Sequence, residues 1–518
     1  MPDKNAFIKT LSNSYLFKGD SILLGSAVFD GDQETGFQVR IPLKTLNRHG
    51  LIAGATGTGK TKSLQLIAEE LSAAGVPVLM LDVKGDLSGI AQPGTMNPII
   101  QKRSEQIGIK WQEKGFPVEL MTISAEPGVK LKATISEFGP VLLAKILELN
   151  ENQAGGLAML FKFCDDKRLP LLDIDDLKAV IKYVQDEGKE EFEKNYGFFH
   201  STSAGTIMRN IISLEQQGAG RFFGEPSFEI DDLMRTNSKG EGIINILRVT
   251  DIQSNTAIFS TFMLCLLAEI FQKMPEKGDV DKPELVIFLD EAHLIFRNAS
   301  STLINQFETT VKLIRSKGVG IILITQSPDD IPSDILGQLG LKVQHALRAF
   351  TANDRKAIKA AAENYPLSVY YKIDELITQL GIGEALVTAL DEKGRPTELV
   401  HTLMRPPFSR MDVLTPAEID RCVRNSELVQ HYNRDINRES AYEILTDRIR
   451  EQEQEISDVR REQEQRPVSR SRGEKTVFET VMRSPITNTI AREVTRGLLG
   501  VLGLKTTRRR STRSPFGF

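Results

Sequence analysis

Cysteine is scarce in this chain of 518 residues, and its three thiols, Cys164, Cys265 and Cys422, lie far apart. No metal-ligand spacing is present, and an odd count without a pairing pattern excludes a disulfide framework. Reduced thiols in a reducing compartment are expected. Long hydrophobic runs are also missing. No apolar stretch approaches the ~20 residues that cross a bilayer. The start, Met1-Pro2-Asp3-Lys4-Asn5, lacks a secretory-signal pattern. Cytoplasmic placement, with no transmembrane segment, is the expectation. Strong net charge is absent: the balance is −4, which argues against a protein that coats DNA with its whole surface. No repeat of solenoid period recurs. Hydrophobic residues make up 40% of the chain, enough for sizeable cores in two or three units.

Against this plain background one motif stands out. Gly54-Ala55-Thr56-Gly57-Thr58-Gly59-Lys60-Thr61 matches G-x-x-x-x-G-K-[ST] without a gap. The apolar run Leu51-Ile52-Ala53 precedes it and reads as a buried strand. Ser63 to Leu71 follows it, with apolar positions 64, 67, 68 and 71 at helical spacing. In a strand–loop–helix context the glycines let successive backbone N–H groups converge, and the helix start adds partial positive charge. Lys60 is expected to reach the β/γ-phosphates of ATP, and the Thr61 hydroxyl to sit on Mg²⁺. Lys62, in the first helical turn, completes the candidate nucleotide-binding set.

A second continuous apolar run, Leu285-Val286-Ile287-Phe288-Leu289, ends in Asp290-Glu291-Ala292-His293. Such a run fits a strand buried on both faces of a parallel sheet. Its acids then enter the crevice at the strand ends, where nucleotides bind. Asp290 is the candidate metal ligand, through water. Glu291 is the candidate catalytic base that polarises the attacking water. His293 is a candidate for coupling hydrolysis to a helix shift, or simply a packed side chain. A third run, Gly320 to Thr325, ends at Gln326, whose amide can donate and accept at once. Arg315 precedes this run. Its guanidinium suits a phosphate, most readily that of a neighbouring subunit; the alternative is a solvated helix C-terminus. Arg348, expected to close the strand that begins at Val343, is a second candidate phosphate contact, with a surface ion pair to Asp354 as its alternative.

Taken together, Gly54–Thr61, Leu289-Asp290-Glu291-Ala292-His293 and Arg315…Thr325-Gln326-Ser327-Pro328 resemble the HerA–FtsK superfamily of P-loop motors. The chain is most similar to bacterial HerA-like ATPases of the YjgR type. Arg48-His49-Gly50 fits the resemblance, and Asp82-Val83-Lys84-Gly85-Asp86 is similar to a turn of conjugation coupling ATPases. The resemblance implies a RecA/HerA-like P-loop NTPase core, ATP and Mg²⁺ as cofactors, and a homo-oligomeric ring, a hexamer in such motors, that moves double-stranded DNA. It also implies Glu291 as base, Gln326 as sensor and Arg315 as trans-acting finger. The 53 residues before Gly54 are few for the N-terminal barrel of HerA proteins proper.

The expected fold class is α/β, with a mostly parallel sheet, a helical insertion and a helical C-terminal extension. The expected divisions are a small β-rich segment at 1–45, a core at 46–137 and 236–405, a helical insertion at 138–235, a helical extension at 406–465 and a basic tail at 466–518. Strand pairs are expected near Ile22–Gly25 and Phe37–Ile41. Tyr442, Leu445, Ile449, Gln452, Ile456 and Val459 fall on heptad positions of one charged helix. The tail holds ten Arg, two Lys and three Glu. Its apolar stripe at 476–504 suits docking onto the chain's own assembly, with DNA or a membrane surface as alternatives. An ATP-driven DNA motor is the first functional reading. An ATPase that remodels a protein, or a nucleotide-switched scaffold, are the others.

Overall fold

The central strands are buried on both faces, and their side chains alternate between two apolar layers. A computed structural model describes residues 3–33, 36–250, 256–296, 301–349, 351–434, 436 and 438–465. Among these residues twelve strands form one sheet: β1 (Ser21–Ala27), β2 (Gln38–Pro42), β3 (Gly50–Ala53), β4 (Val78–Asp82), β5 (Val118–Thr122), β6 (Val129–Lys130), β7 (Ile244–Arg248), β8 (Leu285–Leu289), β9 (Val319–Thr325), β10 (Leu341–Gln344), β11 (Glu384–Thr388) and β12 (Val400–Met404). Their spatial order is β2-β1-β12-β11-β10-β3-β9-β8-β4-β7-β5-β6. From β10 to β6 every neighbouring pair is parallel; from β10 to β2 every pair is antiparallel. The α/β class with a mostly parallel sheet is therefore the observed one.

Period-two alternation assigns the layers. Leu79 and Leu81 of β4, Leu285, Ile287 and Leu289 of β8, and Ile321 and Leu323 of β9 join one cluster. Val78, Met80, Val286, Phe288, Ile322 and Ile324 join the other. The helix Lys60–Ala73 covers the second face through Leu64, Ile67, Ala68 and Leu71. The N-terminal helix Lys4–Ser14 adds Phe7 and Leu11 to the same layer. The sequence pattern did not disclose this helix; Asp3 caps it by accepting from the Asn5 N–H. The strand pair expected before position 45 exists as β1 and β2, and β1 continues the main sheet through β12.

Between β6 and β7 the chain forms five α-helices: Ile135–Ile146, Glu151–Lys167, Ile174–Gln185, Lys189–Tyr196 and Ser201–Gln216. Thr134, Asn150 and Asp173 close the first three with reciprocal capping boxes. Their apolar faces join the first layer of the sheet. β10 is shorter than expected. It stops at Gln344, so Arg348 does not close a strand. The His345 N–H still bonds the Ala53 carbonyl of β3 (2.7 Å), but the Leu347 N–H turns to the Ile377 carbonyl (3.2 Å), outside the ladder. Residues 1–449 form one compact unit, and a second begins at Arg450. The helix Ala441–Gln465 buries Ala441 and Leu445, with Ile444 and Ile449 packed beside them. Tyr442, on the expected heptad face, is half exposed. The packed face is thus the 441/444/445/449 stripe. The basic tail at 466–518 lies outside the described residues, with every expectation placed on it.

After β12 the chain runs back along the helix Lys60–Ala73 as a strap of residues 405–411. Arg405 is buried, with its guanidinium 3.3 Å from Glu69 Oε2 and 2.8 Å from Glu70 Oε1 and its plane 4.3 Å from the Phe408 ring centre. Glu69, also buried, accepts from the N–H groups of Phe408 (3.0 Å) and Ser409 (2.9 Å). Gln65 donates to Ser409 Oγ (2.7 Å) and Lys62 to the Met411 carbonyl (2.6 Å). Positions 62, 65, 69 and 70 share one helix face, so the strap grips the helix that starts at the glycine loop. Removing one partner of a buried pair leaves the other charged and unpaired. Arg405→Ala should therefore destabilise the protein by about 3 kcal/mol or more in denaturant unfolding. An unchanged midpoint would show that the strap does not hold the helix.

Candidate active site

Four strand ends build the site. Parallel neighbours β3, β9, β8 and β4 point their C-termini to one edge. The glycine loop leaves β3, Gln326 follows β9, Asp290 and Glu291 follow β8, and the turn Asp82–Leu87 follows β4.

The loop needs its glycines at two places. Gly54 has φ +152°, and a Cβ there would lie 2.5 Å from the Cβ of His345. Gly59 has φ +116° and caps the helix, with the backbone of Gly383 close behind it. His345 is wholly buried and buttresses the loop from below. Its Nε2 is 2.9 Å from Ser63 Oγ, and its Nδ1 is 2.9 Å from the Glu384 carbonyl. Burial lowers its basicity to about 4, so it stays neutral. The Gly383 N–H donates to the Thr58 carbonyl at 3.0 Å. Thr58 Oγ1 donates to the Ala55 carbonyl at 2.7 Å, which closes the loop on itself. Thr56 and Gly57 form its exposed tip.

Lys60 is folded over the loop, donating to the carbonyls of Gly54 (2.6 Å) and Ala55 (3.1 Å). Burial, and then Lys84, lower its proton affinity; Glu291 and Asp290 raise it. Thr61 is half-buried at the helix start. Lys62 turns away to the strap, so its side chain does not face the loop. Asp290 is buried, and its Oδ2 has no hydrogen-bond partner. An orphaned carboxylate oxygen facing a phosphate loop suits a hydrated magnesium ion. Glu291 is buried with φ +49°, a left-handed backbone that fixes its direction. One oxygen is ion-paired to Lys84. The other lies 3.1 Å from His293 Nδ1. The Ala292 N–H donates to the Ile324 carbonyl at 2.8 Å and ties this turn to β9.

Gln326 is exposed where β9 ends, beside the loop strand, since Ala53 pairs with Thr325. Arg315 lies in the short 3₁₀ turn Arg315–Lys317 ahead of β9, toward the opposite end of the sheet from its own loop. The structure does not bring Arg315 to the site. Arg348 donates to the Thr378 carbonyl at 3.1 Å. The structure thus gathers Gly54–Thr61, Asp290, Glu291 and Gln326 and leaves Arg315 outside; Arg348 follows Ala346, whose carbonyl accepts from the Ala55 N–H, with its guanidinium on Thr378. Sequence reasoning missed the roles of Lys84, His345 and Gly383. Lys84 had a signal in the Asp-x-Lys-Gly-Asp turn; His345 and Gly383 had none, because their partners are remote in the chain.

A glycine loop between a parallel strand and a helix, with two carboxylates ending a strand two places away, defines a P-loop nucleoside triphosphatase. Residues 28–509 match the helicase HerA-like C-terminal family, and the chain belongs to that family. It is a P-loop ATPase. It is 23% identical over 393 residues to the DNA double-strand break repair helicase HerA of Sulfurisphaera tokodaii, covering 72% of this chain and 68% of the relative. It is 23% identical over 412 residues to a probable helicase of Methanocaldococcus jannaschii, covering 73% and 72%. Its fold is similar to that of the bacterial conjugative coupling protein TrwB without its first residues, with TM-score 0.51, 13% identity and coverage of 79% of this chain and 95% of that one. Among the described residues no helix is long and apolar enough to cross a membrane.

Burial lifts the Asp290 carboxyl to about 7, with Lys84 opposing and Glu291 adding to the rise. An unfolded Asp titrates near ~4. Folding therefore takes up a proton in the window from about pH 4 to 7, and stability from this group falls as pH rises through it. The loss is complete above about pH 7 and amounts to ~4 kcal/mol at most. Asp290→Asn should melt higher than wild type at pH 8 without nucleotide, with a smaller gain at pH 5. Equal gains at both values would contradict the titration.

Proposed function

We propose that this ATPase is a ring-forming motor that moves along double-stranded DNA, with Mg²⁺·ATP as its fuel. The observation that carries the hydrolytic part is Glu291 beside Asp290, facing the glycine loop from a fixed left-handed backbone. The N–H groups of Gly54–Thr61 and the Lys60 ammonium would bind the β/γ-phosphates. Thr61 and Asp290 would hold Mg²⁺, the latter through water, and the ion when bound neutralises charge on the phosphate oxygens. Glu291 would orient a water in line with the γ-phosphorus and take its proton as the bond to the leaving β-phosphate oxygen breaks. Gln326 would contact that water or the γ-phosphate. Lys60 must release the Gly54 and Ala55 carbonyls to meet phosphate.

The DNA part is supported by the relatives described as DNA double-strand break repair helicases. Arg315 lies toward the far end of the sheet from its own loop, so a phosphate contact by it would be to a neighbour's site; a solvated helix end is the alternative. Arg348, past the end of β10, is the second candidate for that role.

Lys60→Ala should abolish nucleotide binding. Glu291→Gln should keep binding yet lower turnover by about 10²-fold or more. Wild-type turnover in Glu291→Gln would remove Glu291 as the base. For the ring, Glu291→Gln and Arg315→Ala subunits are mixed. Recovered activity, from interfaces that pair an intact Glu291 with an intact Arg315, is expected for a trans finger worth about 10³-fold. Full activity in a monomer with nucleotide bound would refute the ring. Turnover should rise with double-stranded DNA; a rise with unfolded protein instead would make the chain a protein-remodelling ATPase.

A further inference from the structure

Lys84 is the cation nearest the catalytic base, and the fold places it there deliberately. The turn after β4 is organised by Asp82, which is wholly buried. Its carboxylate accepts from the N–H groups of Gly85 (2.7 Å), Asp86 (3.1 Å) and Leu87 (3.3 Å). Gly85, at φ +79°, lets the backbone close around that carboxylate. β4 and β8 are parallel neighbours, with Leu81 opposite Leu289. Lys84 and Glu291 each lie two residues past the end of their strand. Their side chains meet as an ion pair at Glu291 Oε1.

The partners differ in freedom. The Lys84 side chain is 38% exposed, whereas Glu291 is 5% exposed. A lysine ammonium on a flexible stem can change partner; a buried carboxylate on a left-handed backbone cannot follow it. A carboxylate oxygen occupied by an ammonium is also not free to accept from the attacking water. Without nucleotide, Lys84 is paired with Glu291, and Lys60 donates to the Gly54 and Ala55 carbonyls. A triphosphate brings further negative charge to this place and competes with Glu291 for the mobile cation.

We propose that Lys84 exchanges Glu291 for the γ-phosphate of ATP, so that a triphosphate frees the base and a diphosphate does not. Lys84 is then a positioning residue that acts through Glu291 and ties hydrolytic competence to the third phosphate. The inference rests on the ATPase reading above.

A double-mutant cycle on binding tests it. Affinities for a non-hydrolysable ATP analogue and for ADP, each with Mg²⁺, are measured for wild type, Lys84→Ala, Glu291→Gln and the double variant. Glu291→Gln removes both the pair to be broken and repulsion of the phosphate; in Lys84→Ala only the repulsion remains to be removed. Glu291→Gln should therefore tighten analogue binding about five- to tenfold more in the wild-type background than in Lys84→Ala. ADP should show no such difference, and Lys84→Arg should retain the coupling to the analogue. If Lys84→Ala does not fold, Lys84→Met carries the same cycle with the stem retained. Additive effects on the analogue, or equal coupling with ADP, would overturn the exchange while leaving the ATPase reading intact. Failure of the wild type to bind either nucleotide would instead remove the ATPase reading itself.

Discussion

Parallel pairing of β3, β9, β8 and β4 is the constraint on which the site depends. Because these strands run the same way in adjacent positions, their C-terminal ends fall on one edge. A glycine loop, a glutamine, two carboxylates and a lysine turn therefore converge, although they are up to about 270 residues apart in the chain. Parallel strands must be covered on both faces. The helix Lys60–Ala73 with the N-terminal helix meets that need on one side, and the helices between β6 and β7 contribute to it on the other. One geometric rule thus sets both the core and the chemistry.

The loop is also held from behind. Close approach of Gly54 to His345, the Gly383 N–H on Thr58, and the strap on Glu69 and Glu70 all bear on the loop or its helix. Each of these partners comes from residues after β9, so the C-terminal third of the chain supports the nucleotide site. A shift of β10–β12 or of the strap would be felt at the loop through packed side chains and buried hydrogen bonds. This gives the site a physical connection to distant parts of the fold.

The phosphate loop and the acid strand were legible in the sequence because each signal is contiguous: an apolar run, then functional residues. The central strands, and helices such as Lys60–Ala73 and Ile174–Gln185, followed from the same periodicities. Other parts were not legible, for particular reasons. The antiparallel wing joins Gly25 to Met404, so its pairing depends on chain distances that no local pattern encodes. β12, Val400 to Met404, is short and mixes His and Thr with apolar residues. Arg348 was expected on a strand because apolar residues continue past Gln344, but the Leu347 N–H leaves the ladder for the Ile377 carbonyl. The heptad reading that begins at Tyr442 met a helix whose first turns bury Ala441 and Leu445 and leave Tyr442 half exposed. Lys84 was visible as a motif residue, yet its partner depends on β4 lying beside β8.

The most direct measurement is an experimental structure of the full chain with Mg²⁺ and a non-hydrolysable ATP analogue. The expected result has the phosphates on the Gly54–Thr61 backbone, the metal between Thr61 and Asp290, and Glu291 facing the γ-phosphate with no ammonium on its carboxylate. Nucleotide bound away from this loop, or Glu291 turned from the γ-phosphate, would contradict the account.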